Sequence, residues 1–297
     1  MIEMNVHNKN VVSFHYDITL ACNNRCSYCY MLPHLDNALK VNRETIDNVK
    51  KGIKDLQERN PDLKISFVFV GGEPLLVLDE VKEIMEYLDG PNINFQIFSN
   101  ANFKPGGSKI GKVLKLRETF KNFTLKVSWH DSSNQDYVKA NIKACEDFTC
   151  LTFLVQDDNF DLTFERYKWV KSETKAEYNF EEIRDQHGNS FFTKPNDPRY
   201  IELLENCHDK DLVNVIGNKT YDIIESQALL DISRQYYTIC QVSEMCIRYN
   251  GDIVPMCFNQ SEFGNVRDGI NIQTKYCDNY HCRNVTCTYK KLGNKKC

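Results

Sequence analysis

Residues 22–30, Cys-Asn-Asn-Arg-Cys-Ser-Tyr-Cys-Tyr, place three cysteines on one short stretch of chain. Cys22, Cys26 and Cys29 follow the spacing C-x3-C-x2-C. A cubic iron–sulfur cluster normally takes four cysteine thiolates, so three thiolates leave one iron without a protein ligand. An open metal position distinguishes a reactive site from a structural one, an argument made for zinc that carries over to iron. A zinc loop or a set of buried cysteines is the alternative interpretation of this triplet.

Length and composition fit a globular protein with a sizeable core. The chain has 297 residues, 41% of them hydrophobic, which is enough for one large domain and a small one. The net charge of −4, with acids and lysines interspersed, indicates no strong polyanion-binding surface. The first residues resemble no signal peptide, and no apolar run approaches the length of a membrane span. We therefore expect a cytoplasmic protein without a membrane partner.

The 13 cysteines are concentrated near the two ends of the sequence. Three lie in residues 22–29, and seven lie between Cys240 and Cys297. Since no signal peptide is evident, metal binding or redox use explains so many thiols better than disulfides do.

Strands and helices are predicted to alternate along the first 180 residues. The predicted strands cover residues 12–20, 64–70, 94–99, 123–129, 150–156 and 176–180. The predicted helices cover residues 43–59, 79–89, 108–121 and 134–146, with Leu114 among the inward side chains of the third. Such alternation is typical of a parallel α/β sheet. Six units are too few for a closed eight-stranded barrel, so the sequence predicts a partial (β/α)6 TIM-type barrel.

Polar signatures follow the ends of the predicted strands. Gly71-Gly72-Glu73-Pro74 comes directly after the second strand. Its glycines allow close approach of the backbone to a ligand, and the proline fixes the turn. Ser99-Asn100 ends the third strand, Ser128 lies at the end of the fourth, and Asn159 follows the fifth. Barrels of this type carry their chemistry at the carboxyl ends of the strands, which is where these residues fall.

The cysteine triplet and the Gly-Gly-Glu-Pro turn together resemble the radical S-adenosylmethionine (SAM) superfamily. Tyr28 is then the aromatic residue that precedes the third cysteine. The resemblance implies that Cys22, Cys26 and Cys29 ligate a [4Fe–4S] cluster whose open iron binds SAM.

The same resemblance implies which residues contact SAM. The Gly-Gly-Glu segment would meet its amino group, with Glu73 as a charge-complementary neighbour. Ser128 matches the serine of a Ser-x-Asp motif, but here His130 occupies the place of the aspartate and Asp131 follows it. The predicted SAM-binding residues are Tyr28, Gly71, Gly72, Glu73, Pro74, Ser99, Asn100, Ser128 and Asn159.

Residues 246–257 predict a β-hairpin with Asn250-Gly251 as a two-residue turn. In a symmetric register Cys246 pairs with Pro255, and Cys257 lies two positions further on the same face. Diagonal neighbours of this kind are about 7–8 Å apart, so both thiolates could reach one metal centre. Because thiolates bind zinc as well as iron, a zinc site is the alternative here too.

The C-terminal cysteines resemble those of the SPASM and shorter twitch extensions of radical SAM enzymes. The resemblance implies an auxiliary [4Fe–4S] cluster held by Cys240, Cys246, Cys257 and Cys287. The remaining Cys277, Cys282 and Cys297 supply three ligands for a second cluster, one cysteine fewer than a full SPASM domain provides. Either there is only one auxiliary cluster, or the second has an open or non-cysteine position. We expect three parts: the partial barrel at residues 1–180, a bridging segment of a hairpin and helices at 181–237, and the auxiliary-cluster domain at 238–297.

The implied reaction is reductive cleavage of SAM to a 5′-deoxyadenosyl radical, which abstracts a hydrogen atom from a substrate. A peptide or protein side chain is the leading substrate, because SPASM and twitch extensions often accompany such modification; a nucleoside or nucleic-acid base is the alternative. An electron donor such as flavodoxin or ferredoxin is implied as a partner. The contrasting class is a non-enzymatic zinc-binding interaction protein. The sequence identifies no catalytic acid, base or hydrogen donor.

Overall fold

The computed structural model describes residues 11–29, 31–35, 41–183, 191–194, 197–205, 236–241, 244–255, 264–270, 274–277 and 290–296. The strands are β1 (Val11–Thr19), β2 (Lys64–Gly71), β3 (Ile93–Ser99), β4 (Phe123–Trp129), β5 (Thr149–Val155), β6 (Glu177–Glu182), β7 (Tyr236–Gln241), β8 (Glu244–Ile247), β9 (Asp252–Pro255), β10 (Gly264–Asn265), β11 (Thr274–Cys277) and β12 (Lys290–Lys296). The helices are α1 (Arg43–Arg59), α2 (Leu78–Leu88), α3 (Ser108–Thr119), α4 (Gln135–Ala144), α5 (Phe160–Glu173) and α6 (Pro198–Glu205).

Strands β1 to β6 form a parallel sheet in their chain order. A helix follows each of the first five strands before the next strand begins. The alternation expected from the sequence is therefore confirmed as a mostly parallel α/β sheet with helices, the arrangement of a partial barrel. Helix α5, between β5 and β6, was not predicted.

The two faces of the sheet differ in chemistry because side chains alternate along each strand. The phenylalanines Phe67, Phe95 and Phe123 are buried in one core cluster with the inward residues of the helices. On the opposite face the neighbouring strands carry Gln96 and Lys126, which are partly exposed. We call this opposite face the inner face of the partial barrel.

The helices bury one face each, and one predicted inward residue is misplaced. Helix α1 begins after Asn42, whose side chain caps the helix by accepting a hydrogen bond from the Thr45 amide at 3.1 Å. In α3, however, Leu114 is 36% exposed, whereas Val113 and Leu116 are buried. The prediction that Leu114 faces inward is wrong, because a rotation of about 100° per residue carries it away from the buried stripe.

The C-terminal hairpin forms, but with a different turn from the one predicted. Met245 pairs with Pro255 and Cys246 pairs with Val254, so the predicted pairing of Cys246 with Pro255 is wrong. The loop has three residues, 249–251, because Gly251 adopts a left-handed φ of 92° and donates its amide to the Arg248 carbonyl at 2.8 Å. A type I turn followed by a left-handed residue is the usual three-residue hairpin connection.

This hairpin extends the barrel sheet. Strand β8 pairs with β1 in parallel, with Cys246 beside His15, and β9 and β10 continue the sheet outward. Strands β7, β11 and β12 form a separate three-stranded sheet. Much of the predicted bridging segment 181–237 lies outside the described residues, and the boundaries of the three expected parts stay predictions. Across the described ranges, no helix combines the length and apolar character needed to cross a membrane.

The buried face of the sheet predicts a large stability difference between two substitutions. Phe67 is fully buried and packs edge-on against Phe69, with ring centroids 5.1 Å apart. We expect Phe67→Ala to lower the free energy of unfolding by about 3–5 kcal/mol because it leaves a cavity. Leu114→Ala, on the solvent side of α3, should change it by less than about 0.5 kcal/mol. Urea denaturation of both variants measures this, and equal losses would contradict the assigned faces.

Candidate active site

The cysteine loop, residues 20–29, begins where β1 ends. The turn after β2 is hydrogen-bonded to the start of this loop. The Gly72 amide donates to the Thr19 carbonyl at 2.7 Å, and the Glu73 amide donates to the Ala21 carbonyl at 2.7 Å. The turn therefore touches the residue that directly precedes Cys22. Two signatures that are far apart in the sequence lie side by side at the carboxyl end of the sheet.

Both glycines of this turn are required by the packing of two backbone segments. Gly71 has φ 116°, and a Cβ atom there would lie 2.4 Å from the Thr19 carbonyl oxygen. A Cβ atom on Gly72 would lie 2.1 Å from the Ala21 carbonyl oxygen. The structure shows that these glycines make room for the backbone that leads into the cysteine loop. Their predicted contact with a ligand stays a prediction.

Glu73 is fixed by backbone groups on both sides. It is 1% exposed, and its carboxylate accepts from the Leu75 amide at 3.0 Å and from the Asn100 amide at 2.8 Å. Burial raises the pKa of Glu73 to about 7. One carboxylate oxygen thus caps the turn itself, and the other joins the turn to the end of β3. The role of Glu73 beside the amino group of SAM stays a prediction.

Side-chain amides hold the cysteine loop against the end of β3. Asn100 donates to the Asn23 side chain at 2.8 Å and lies 3.9 Å from the Cys22 sulfur. Asn102 donates to the side-chain oxygen of the buried Asn24 at 2.8 Å. The predicted residue Asn100 therefore lies in the site, although its amide group is occupied within the protein.

Ser99, the other predicted residue at the end of β3, is buried. Its hydroxyl oxygen accepts the Ala101 amide at 3.0 Å. Ala101 has a left-handed φ of 49°, an uncommon conformation for a residue with a Cβ atom. The chain thus turns sharply between Asn100 and Asn102, the two asparagines that hold the cysteine loop.

The loop after β4 contacts the cysteine loop in antiparallel order. The His130 ring nitrogen Nδ1 lies 2.9 Å from the Tyr28 hydroxyl. Two residues on, the Ser132 hydroxyl lies 3.3 Å from the Cys26 sulfur. Burial lowers the pKa of His130 to about 4, so its imidazole is neutral near pH 7.

Ser133 completes this set of contacts, because its hydroxyl oxygen accepts from the Asn24 side chain at 2.8 Å. We call His130, Ser132 and Ser133 the β4 clasp. Sequence reasoning left the role of His130 open and missed both serines, and the departure from Ser-x-Asp at this point was the available signal. Ser128, at the end of β4, is partly exposed on the inner face, and its contact with SAM stays a prediction.

Asp131 and Asn159 form hydrogen bonds within the protein. The Arg166 guanidinium, 3% exposed, donates to the Asp131 carboxylate at 2.6 Å and lies over the Trp129 ring at 5.3 Å. Asn159 is also buried and donates to Asp131 at 3.2 Å and to the Leu154 carbonyl at 3.0 Å. The amide of Asn159 therefore supports the strand-end loops, and its predicted contact with SAM stays a prediction.

The three cysteines of the loop carry free thiols that differ in exposure. They are unbridged; Cys26 is buried, and Cys22 and Cys29 are partly exposed. Burial raises the pKa of Cys22 and of Cys26, and repulsion from the neighbouring cysteine sulfurs adds to it. A metal ion bound to these sulfurs would remove this penalty, because metal ligation favours the thiolate.

Within the described ranges, no three cysteine, histidine or acidic side chains lie close enough together to hold one metal ion. The metal centre expected at Cys22, Cys26 and Cys29 stays a prediction.

The C-terminal cysteines are described only in part. Cys246 is buried on β8, 3.9 Å from the Asp17 carboxylate, and burial raises its pKa to about 12. Cys240 lies on β7 and Cys277 on β11, strands that pair with each other. The remaining predicted ligands lie outside the described residues: Cys257, Cys282, Cys287 and Cys297. Both auxiliary ligand sets stay predictions.

Comparison with known proteins agrees with this site. Residues 16–123 match the family model of the Radical SAM superfamily, a range that contains both the cysteine loop and the Gly-Gly-Glu-Pro turn. Native anSMEcpe with bound AdoMet is similar in structure, with a TM-score of 0.58 and 18% identity over 96% of this chain and 84% of that one. A histidine-tagged form of anSMEcpe with bound AdoMet gives 0.56 and 18% over 87% and 75%. No curated protein sequence matches the chain. At this identity the structural likeness shows a shared fold.

The contact between Gly72 and Ala21 predicts opposite effects of alanine at two glycines. Gly72→Ala places a methyl group against a carbonyl oxygen and should lower the free energy of unfolding by about 1–3 kcal/mol. Gly111→Ala, in α3 with no atom within 4 Å of the new methyl group, should raise it by about 0.5–1 kcal/mol. Denaturation of the metal-free protein measures both. Tolerance of alanine at Gly72 would mean that the two segments do not touch.

The buried carboxylate of Glu73 predicts a pH dependence of stability. Its pKa rises from 4.5 to about 7, so the folded protein holds this proton more tightly than the unfolded chain. Its contribution to stability is complete below pH 4.5 and is lost as the pH rises through about 7. We expect the unfolding free energy of Glu73→Gln to fall less between these pH values than that of the unaltered protein. Parallel slopes in urea titrations of the metal-free proteins would contradict this.

Proposed function

We propose that this chain, a radical SAM enzyme, cleaves SAM reductively and uses the resulting 5′-deoxyadenosyl radical to abstract a hydrogen atom from a bound substrate. One observation carries the proposal. The cysteine loop, the Gly-Gly-Glu turn and the polar ends of β3 and β4 meet at one end of the sheet and are joined by direct hydrogen bonds.

In this proposal Cys22, Cys26 and Cys29 hold a [4Fe–4S] cluster, and the fourth iron takes SAM. When bound, the cluster supplies the single electron that breaks a carbon–sulfur bond of SAM. The Gly71–Glu73 turn lies against the residue before Cys22, which supports its proposed contact with the amino group of SAM. Tyr28 is held by His130 at the third cysteine, which supports a fixed position for the bound cofactor.

The inner face of the partial barrel is the proposed substrate site. In a closed barrel this face is a packed apolar core. Here Ser66, Gln96 and Lys126 are partly exposed on it, and Ser128 lies at its carboxyl end, two residues before His130 of the β4 clasp. These partly exposed polar side chains support the binding of a polar substrate beside the radical source.

We further propose an auxiliary [4Fe–4S] cluster held by Cys240, Cys246, Cys257 and Cys287, and a peptide or protein side chain as substrate. The cysteine pattern supports both. Cys246 is the register partner of His15, so the two residues lie on the same side of the sheet. An auxiliary centre at Cys246 would therefore border the inner face, where it could bind substrate or accept an electron. A flavodoxin or ferredoxin in the cytoplasm is the proposed electron donor.

Anaerobic reconstitution with iron and sulfide, followed by SAM and dithionite, tests this function. We expect 5′-deoxyadenosine from the unaltered protein and none above background from Cys26→Ala. The variant leaves only two cysteine ligands for the cluster, so the iron that binds SAM is lost with the cluster. Cys145→Ala removes a buried thiol at the end of α4 and should retain cleavage. Chromatography with mass spectrometry measures the product.

The metal content separates the remaining alternatives. Cys26→Ala should keep iron at the C-terminal cysteines if they hold an auxiliary cluster. An iron-loaded protein that yields no 5′-deoxyadenosine would refute the proposed reaction. A colourless protein that takes up zinc in place of iron would instead support the zinc-binding interaction protein.

A further inference from the structure

The β4 clasp contacts three positions of the cysteine loop, and the contacts differ in kind. His130 meets the phenol of Tyr28, and Ser133 meets the amide of Asn24. Ser132 alone of the three meets a sulfur, that of Cys26, at 3.3 Å. The first two contacts fix the position of the loop. The third reaches an atom that would bind iron.

The direction of the hydrogen bond at Ser132 follows from the chemistry of a ligand thiolate. A thiolate carries no proton, so it can only accept a hydrogen bond. The serine hydroxyl has one proton to donate and must then be the donor. Cys26 is 7% exposed, so water has little access to compete for the sulfur. Such charge-assisted hydrogen bonds are stronger than those between neutral groups.

A hydrogen bond to a ligand sulfur acts differently on the two redox states of a cluster. The reduced cluster carries one more electron, and part of that charge resides on the sulfurs. A donor therefore stabilises the reduced state more than the oxidised state and raises the reduction potential.

We propose that Ser132 is a positioning residue that raises the reduction potential of the cluster held by Cys22, Cys26 and Cys29. The inference rests on the proposed function, because it assumes that these cysteines hold the cluster. The electron itself comes from an external low-potential donor, such as dithionite in the experiment. The β4 clasp, in which His130 stands at the position of the expected aspartate, would then influence the cluster held by the cysteine loop.

The experiment compares variants that keep or lack the hydroxyl. Ser132→Thr keeps it, Ser132→Val has the same shape as threonine without it, and Ser132→Ala removes it with less bulk. Ser133→Ala is the matched control, because it removes a serine of the same clasp that contacts no sulfur. Each protein is reconstituted, its iron content is measured, and its reduction is titrated anaerobically by electron paramagnetic resonance. The relevant signal is the one that changes when SAM is added to a parallel sample.

We expect the midpoint potentials of Ser132→Val and Ser132→Ala to move to more negative values. Those of Ser132→Thr and Ser133→Ala should stay at the potential of the unaltered protein. Iron-loaded Val and Ala variants with an unchanged potential would overturn the inference. So would a threonine variant that shifts as far as valine, since shape and not the hydroxyl would then be responsible.

Two further outcomes are decisive. If both the Val and Ala variants fail to retain iron while Thr retains it, Ser132 is needed to hold the cluster and the tuning role is overturned. The potential is measured without SAM cleavage. A protein that shows the shift but makes no 5′-deoxyadenosine would therefore refute the proposed reaction and leave the role of Ser132 intact.

Discussion

Two short backbone hydrogen bonds organise the functional end of this molecule. They run from Gly72 to Thr19 and from Glu73 to Ala21, each at 2.7 Å. They force two chain segments to such close range that neither Gly71 nor Gly72 has space for a Cβ atom. The cysteine loop therefore leaves β1 in a direction set by the turn after β2. Everything that the loop later touches depends on that starting direction.

The buried carboxylate of Glu73 connects the turn after β2 to the end of β3. Because Glu73 lies almost entirely out of water, its carboxylate needs donors, and it finds them in the amides of Leu75 and Asn100. The side chain of Asn100 then reaches Asn23 in the cysteine loop. The path from the turn to the loop is thus a chain of satisfied polar groups. Losing one member would leave another buried and unpaired, which costs more than a lost surface contact.

The sequence was sufficient for the features that depend on local pattern. Alternating apolar strands and amphipathic helices predicted the parallel sheet, and the cysteine triplet and glycine turn lie at strand ends that the structure brings together. It was insufficient for contacts between distant positions. Ser132 meets Cys26 across 106 residues and Ser133 meets Asn24 across 109, and neither serine belongs to a recurring local motif.

Local pattern also failed where one glycine decided the geometry. Asn250-Gly251 is the typical pair of a two-residue turn, yet Gly251 occupies the third position of a three-residue loop. Because side chains alternate along a strand, a shift of one residue exchanges the faces of every later residue on that strand. Because the loop has three residues and not two, the register moves by one and the predicted partner of Cys246 was wrong. The hairpin itself was predicted correctly.

The position of that hairpin gives the C-terminal part a second role. Strand β1 would otherwise be an exposed edge beside the cysteine loop, and unpaired edges invite association with other chains. Strand β8 covers this edge, with Cys246 beside His15. Further along, the Ile270 side chain packs against Gly52 of α1, and its carbonyl accepts from Arg59 at 2.8 Å. The segment that carries a predicted cluster ligand thus also completes the sheet from which the first cysteine loop emerges. Pairing of β8 with β1 therefore connects the strand that carries Cys246 directly to the strand from which the first cysteine loop leaves.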